Sequence, residues 1–325
     1  SNGTYIGSGY INPSSLIRIR ILTRNKQEPI NEAFFYNKLV AAWEYRKQLG
    51  YVENCRLIFG EADGMPALII DKFNDYFVIQ SMALGIDLWK QAIVDALQKI
   101  FNPKGIYERN DVPVIELEGM QQIKGFLSEP FDTNIIINEN GLQFHVDIAN
   151  GQKTGYFLDQ QDNRRAIQHI VKGANVLEAF CYTGTFSVHA AHYGAKKVLG
   201  LDISEQAVEK AKANARLNGY QDICDFKAVN AFDYLKQISK EQQQFDVVIL
   251  DPPAYGHGAN GEKWKLEENI NEMMQLVLQL LDEDQHFMIL NAYSLGMSAL
   301  AIHNLTDKFV QSHKGTKSSF GELYL

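Results

Sequence analysis

The chain is short of the features that would mark a special class of protein. It has three cysteines among 325 residues, Cys55, Cys181 and Cys224, far apart and without a CxxC pair. An odd, dispersed set builds neither a disulfide framework nor a zinc knuckle, so reduced thiols are expected. No apolar run approaches the about 18 residues needed to cross a bilayer, and Ser1-Asn2-Gly3-Thr4-Tyr5 lacks the basic and apolar parts of a signal peptide. A cytoplasmic protein without a membrane partner is therefore expected. Asp and Glu (39) outnumber Lys and Arg (31), giving a net charge of −8 without a block of like charge. That balance argues against unspecific coating of nucleic acid and leaves room for a local basic groove. Low-complexity tracts and internal repeats are absent as well. With 46% hydrophobic and 22% charged residues, an ordinary globular chain is indicated. The length exceeds what one core usually serves, so two domains are expected.

Local patterns divide the chain into two halves. Ile17-Arg18-Ile19-Arg20-Ile21 alternates with period two, a strand with isoleucines on one face and arginines, read as solvated edge charges, on the other. Asn31 to Leu49 reads as a helix: Asn31 caps it, Glu32 follows in the first turn, and Gly50 stops it. Short strands follow at Leu57-Ile58-Phe59, Leu68-Ile69-Ile70 and Tyr76 to Gln80, with turns at Asp63-Gly64 and Asn74-Asp75, then a helix over Asp87 to Ile100. Ile135-Ile136-Ile137 and Leu142 to Ile148 flank Asn140-Gly141, a hairpin signal. The first 140 residues thus read as a mixed α+β module. After Gly151 strands alternate with helices, the signature of a parallel sheet with crossover helices. The strands are Asn175 to Glu178, Lys197 to Leu201, Cys224 to Val229, Phe245 to Leu250 and Phe287 to Asn291; the helices are Phe186 to His192, Glu205 to Asn218, Tyr234 to Ser239 and Leu266 to Leu281.

Open parallel sheets bind ligands beyond the carboxyl ends of their strands. There this sequence places Glu178, Asp202, Asn230 and Asp251, an acid or amide after each of four consecutive strands. S-adenosylmethionine asks for such a set: a carboxylate for the ribose diol (Asp202), an acceptor for the adenine amine (Asn230), and negative charge for its cationic methionine end (Glu178). The turn after the first strand, Ala179-Phe180-Cys181-Tyr182-Thr183-Gly184-Thr185, has one glycine. A dinucleotide fingerprint needs three, so a nicotinamide oxidoreductase is excluded, whereas a cofactor without a pyrophosphate tolerates this turn. Asp251-Pro252-Pro253-Ala254-Tyr255 is the sharpest motif. The prolines fix φ and aim carbonyls into a cleft, Asp251 and those carbonyls can accept from a nucleobase amine, and Tyr255 can stack on the base. Gly256-His257-Gly258-Ala259-Asn260-Gly261 reads as a loop ordering over substrate, with His257 a candidate contact. His189 and His192 share a helical face without a carboxylate or thiolate beside them, so no metal site is expected.

Several runs resemble bacterial large-subunit ribosomal RNA methyltransferases built from a PUA domain, a linking α+β domain and a Rossmann-like catalytic domain. They are Gly155-Tyr156-Phe157-Leu158-Asp159-Gln160 with Asn163-Arg164-Arg165, Phe180-Cys181-Tyr182-Thr183-Gly184-Thr185-Phe186, and Leu250-Asp251-Pro252-Pro253. Gly9-Tyr10-Ile11-Asn12-Pro13 with Arg18 and Arg20 resembles the end of the PUA module, and Phe59-Gly60-Glu61-Ala62-Asp63-Gly64-Met65-Pro66 the linking domain. The resemblance implies an α/β fold, a Rossmann-like class I methyltransferase domain preceded by a smaller α+β domain. It implies a remnant of a PUA domain at 1–22, a linking domain for the RNA substrate at 23–140, and the methyltransferase domain at 141–325. It further implies that Phe157, Asp159, Gln160 and Arg164 line the cofactor pocket and that Glu178, Tyr182 and Thr183 border its methionine end. Gly184, Asp202, Ile203, Asn230, Ala231 and Asp251 complete the cofactor set, and Asp251, Pro252 and Tyr255 the catalytic one.

Carbon-5 methylation of cytosine needs a cysteine thiolate to add to C6. Members of the resembling family that carry out this reaction hold that cysteine just after the fifth strand; here the stretch is Leu290-Asn291-Ala292-Tyr293-Ser294, and Cys181, on the cofactor turn, reads as a small buried thiol. The expected chemistry is therefore direct attack by a base nitrogen on the sulfonium methyl, in rRNA processing, with ribosomal RNA as bound partner and a homodimer allowed for. The alternatives are a non-catalytic assembly factor that binds RNA or the cofactor, and a transferase acting on protein or small molecules.

Overall fold

The computed structural model describes residues 3–257, 263–282, 286–292, 298–312 and 317. Two units separate, one of residues 3–139 with 145–160, the other of 140–144 with the described residues from 161 onward. The first begins with an antiparallel pair, β1 (Ser8–Ile11) and β2 (Ile19–Thr23). The alternation around β2 does not leave Arg20 as a solvated edge charge: its side chain is 10% exposed and lies 2.9 Å from Glu118, while Ile19 is 65% exposed. Glu118 also accepts from Asn12 Nδ2 and Ser15 Oγ. A carboxylate so fully met by donors makes burial of the guanidinium tolerable.

Helix α1 (Glu32–Gln48) starts where its cap predicts, with Asn31 Oδ1 accepting from Phe34 N at 3.0 Å. Strands β3 (Asn54–Phe59), β4 (Leu68–Phe73) and β5 (Tyr76–Ser81) follow. The helix expected over Asp87 to Ile100 is two pieces, α2 (Leu84–Asp87) and α3 (Lys90–Phe101), the latter closed by Asn102 at φ 46°. Beyond it lie β6 (Gly105–Asn110) and β7 (Ile123–Phe126), completing a sheet ordered β3-β4-β5-β6-β7. Only β5 and β6 are parallel in it, which requires the helical crossover between them. Phe35 and Leu39 of α1, Ile93 and Leu97 of α3, and Leu57, Ile70, Phe77 and Ile106 of the sheet share one core. Strands β8 (Asn134–Glu139) and β9 (Leu142–Asp147) form the expected hairpin, with Asn140 at φ 52° and Gly141 at φ 82°, the left-handed pair a tight hairpin turn requires.

The second unit alternates β10 (Asn175–Ala179), β11 (Lys197–Asp202), β12 (Cys224–Ala228), β13 (Val247–Leu250) and, after a small antiparallel ribbon of β14 (Tyr255–His257) and β15 (Lys263–Lys265), β16 (Phe287–Leu290). Helices α4 (Gln161–Ala166), α5 (Thr185–His192), α6 (Glu205–Leu217), α7 (Ala231–Lys240), α8 (Leu266–Leu280) and α9 (Ala299–Ser312) accompany them. The sheet is parallel throughout, ordered β12-β11-β10-β13-β16. Buried apolar runs such as Val247 to Leu250 need cover on both faces, which the helices give. Chain order reverses beside β10, so the carboxyl ends of β10, β11 and β13 meet at the switch point. This is the expected α/β Rossmann-like arrangement, with a smaller α+β unit before it in the sequence. The loop expected over Gly256 to Gly261 begins instead as β14; its residues 258–261 lie outside the described residues, as does the side chain of His257.

Candidate active site

Each strand end delivers its polar residue to this edge, and the turns between them are tightly tied. Glu178, near the end of β10, is 2% exposed. Ser187, one turn into α5, donates its backbone N–H to Glu178 Oε2 at 2.8 Å, and its hydroxyl bonds the same oxygen. Burial pushes the Glu178 carboxyl up to about 8 against the lowering pull of those bonds, and the charges of Asp251 and Asp202 add to the rise. Asp202, ending β11, accepts from Tyr182 N at 2.8 Å through Oδ2 and from Ser204 N at 2.9 Å through Oδ1.

The turn between β10 and α5 is strained. Phe180 and Tyr182 lie at φ 65° and 48°, and Gly184 at φ 72°. Left-handed backbone costs a non-glycine residue about 1–3 kcal/mol, and here it turns the Tyr182 N–H onto Asp202. Thr183 and Gly184 are buried in the same turn, and Gly184 cannot carry a side chain, since a Cβ would come within 2.8 Å of Ala211 Cβ and the Phe226 ring. Cys181 is buried there too. Burial, then the charges of Glu178 and Asp202, raise its thiol well above the ordinary cysteine value.

Asn230 uses its Oδ1 to cap α7, accepting from Phe232 N (2.9 Å) and Asp233 N (3.4 Å). The acceptor read from sequence is therefore engaged, and Nδ2, a donor, is the group it can offer a base edge. Ala231 is buried behind it and Ile203 is exposed. After β13, Pro252 is buried and Tyr255 is 70% exposed. Pro253 O accepts the indole N–H of Trp264 at 2.7 Å, and Ala254 O accepts from Leu266 N at 3.0 Å. The Pro253 carbonyl expected to meet a substrate amine thus already holds a donor. Trp264 lies 5.6 Å from Phe180 and 6.1 Å from Phe232, centroid to centroid.

Arg164 is wholly buried, with its guanidinium 5.9 Å from the Phe186 ring centre. Phe157, Asp159 and Gln160 belong to the first unit, around a 3₁₀ turn at Leu158–Gln160. Lys153 sits 4.6 Å over the Phe157 ring and 3.7 Å from Asp159. The two helical histidines are both engaged: His189 donates from Nδ1 to Thr185 O at 2.7 Å and accepts from Asn140 Nδ2, and His192 Nδ1 bonds Tyr220 Oη at 2.9 Å. Ser187 and Trp264 escape the sequence. A helical serine and an aromatic after a glycine-rich stretch carry no signal of their own, and only the fold brings them to the strand ends.

The fit to S-adenosylmethionine follows from this donor set. A cationic amine and sulfonium suit a buried carboxyl flanked by two more acids, and an aspartate at the end of β11 suits a diol. The family model for S-adenosylmethionine-dependent methyltransferases matches residues 121–303. A ribosomal RNA large subunit methyltransferase I of Aliivibrio fischeri is 38% identical over 265 residues, covering 80% of this chain and 67% of that protein. One of Vibrio campbellii is 40% identical over 266 residues, 78% and 66% of the respective chains. The chain therefore spans about two thirds of the length of these relatives. Among solved structures, SMU.776 complexed with SAH superposes with a TM-score of 0.82 at 21% identity, covering 94% of this chain and 79% of that one. A SAM-dependent methyltransferase from Agrobacterium tumefaciens gives 0.60 at 23%, covering 74% of each. At these identities the structures bear on the fold, whereas the family and sequence matches bear on kinship and cofactor: the chain belongs to the S-adenosylmethionine-dependent methyltransferases.

Proposed function

We propose that this methyltransferase acts on large-subunit ribosomal RNA, the substrate named for its relatives, and that the atom it modifies is a base nitrogen. The observation that carries the choice of nitrogen is the state of the thiols. Burial raises Cys181 well above its ordinary value and pushes Cys55 and Cys224 up to about 12, so none is a thiolate at neutral pH and none suits addition to a pyrimidine ring. A base nitrogen carries its own lone pair and needs only alignment and an acceptor for its proton.

Bound S-adenosylmethionine supplies an electrophilic methyl group on a cationic sulfur. Around it Glu178 balances the cationic end, Asp202 takes the ribose hydroxyls, and Asn230, with the neighbouring Ile203 and Ala231, borders the adenine. Tyr182, Thr183 and Gly184 shape the strained turn. Asp251 accepts from the base amine and holds it in line, Pro252 keeps that carboxylate from swinging away, and exposed Tyr255 stacks on the base, a contact worth about 1–3 kcal/mol. The first unit is assigned to holding RNA. Phe157, Asp159, Gln160 and Arg164 are cofactor residues by sequence resemblance alone.

The test is Asp251→Asn, assayed for cofactor binding and methyl transfer to RNA. Turnover should fall about 100-fold or more while cofactor affinity stays within a few-fold. Unchanged turnover would remove Asp251 from the chemistry, and a wild-type chain that binds cofactor without turnover would be a binding factor.

A further inference from the structure

Two consecutive prolines leave the Asp251-Pro252-Pro253-Ala254 turn without backbone donors at its middle. Its entry bond is long, with Asp251 N donating to Ala179 O at 3.4 Å. Shorter bonds reach it from β15 and the residue after it: Trp264 Nε1 to Pro253 O at 2.7 Å and Leu266 N to Ala254 O at 3.0 Å. We propose that Trp264 is a positioning residue for methyl transfer, latching this turn so that Asp251 meets the acceptor base in one orientation. The inference rests on the methyl-transfer function proposed above.

The indole suits the task because it is fixed on three sides. Its N–H holds the turn after β13, one neighbouring ring is Phe180, in the strained turn after β10, and the other is Phe232, next but one after Asn230 at the start of α7. One side chain thus ties together the connections after three strands that each bring a polar residue to the site. Phe232 is itself covered by Lys236, whose ammonium lies 4.4 Å from the ring centre and 2.9 Å from Glu272. Phe180 sits at φ 65°, a conformation that persists only where its surroundings over-determine it, and Trp264 is among them. The bond of Trp264 goes to a carbonyl and its ring neighbours are Phe180 and Phe232, all uncharged, so its removal should disturb geometry rather than charge. Misplacing a reacting group by about 1 Å costs about 100-fold in rate, whereas RNA affinity is spread over many phosphate contacts, so the effect belongs in kcat and not in KM.

The experiment compares wild type, Trp264→Phe and Trp264→Ala for kcat and KM on RNA, cofactor affinity by calorimetry, and hydrogen exchange at the Leu266 amide. Trp264→Phe keeps an aromatic ring beside Phe180 and Phe232 and removes the N–H together with part of the indole. The expected result is a fall in kcat of about tenfold in Trp264→Phe and about 100-fold in Trp264→Ala, with KM and cofactor affinity within about twofold and faster exchange at Leu266. Wild-type kcat in folded Trp264→Phe overturns the proposal, as does a loss of cofactor affinity equal to the loss of kcat. If the wild-type chain binds cofactor and methylates no RNA, the functional reading fails separately, and the latch is then judged on Leu266: unchanged exchange in Trp264→Phe overturns it, faster exchange supports it.

Discussion

In the role proposed for it, Glu178 would make cofactor binding pH-sensitive through one residue. With its carboxyl raised to about 8, the ligand-free protein holds it protonated at pH 7, and a cation placed beside it favours the ionised form. Cofactor binding should then release a proton, and affinity should climb as pH rises towards 8, by at most about tenfold per unit, and level off above it. Calorimetry between pH 6 and 9 in buffers of different ionisation enthalpy checks this, and Glu178→Gln should abolish both the slope and the released proton. Cys181 gives the opposite kind of prediction: as a neutral buried thiol it is replaceable, and Cys181→Ala should transfer methyl groups within about twofold of wild type. A much larger loss of kcat with normal stability would return the cysteine to the mechanism. Glu178, Asp202, Asn230 and Asp251 were legible because each follows an apolar strand run, so that strand-end position alone aims it at the switch point. The use Asn230 makes of its Oδ1 was not legible, since capping a helix and meeting a base call for the same residue type.

Elements were legible where burial and period coincide. The parallel strands are apolar runs and α1 carries its own cap, so their positions follow from composition; α7 starts at Ala231, before the expected Tyr234, because Asn230 caps it. Strand β6 was hidden by its residues Glu108, Arg109 and Asn110, which look solvent-facing and are in fact buried with partners: Lys90 lies 2.7 Å from Glu108, and Arg109 lies 2.8 Å from Asp111 and donates to Ile148 O. Charges that are paired after folding erase the alternation that reveals a strand. The turn between β10 and α5 carries a testable geometric demand. Gly184→Ala adds a methyl group in left-handed backbone against Ala211 and Phe226, and should cost about 2–4 kcal/mol, seen as a Tm lower by several degrees. A variant as stable as wild type would show that the turn relaxes freely.

Across the whole molecule, two buried groups of the second unit pull stability in opposite directions. His189, neutral and stacked 5.3 Å from Phe144, has its pKa lowered to about 3 by burial and then by Arg164, so its contribution is present above 6.5 and is lost as pH falls towards 3. Glu178, raised from 4.5 to about 8, contributes stability that is complete below 4.5 and is lost as pH rises through 8. Between about 4.5 and 6.5 the two slopes cancel. Thermal unfolding without cofactor should therefore show a plateau there, a fall towards acid that His189→Gln reduces, and a fall from 6.5 to 8 that Glu178→Gln reduces. At a net charge of −8, RNA must be met by local basic surface, so binding should weaken as salt rises, in step with the number of phosphates that surface meets. Transfer to a base nitrogen of ribosomal RNA can be read out by mass spectrometry of nucleosides. The RNA is large-subunit ribosomal RNA lacking the modification, incubated with this protein and methyl-labelled S-adenosylmethionine. Label is expected on one nitrogen-methylated base; label in 5-methylcytidine, or none from a protein that binds the cofactor, rules out transfer to nitrogen.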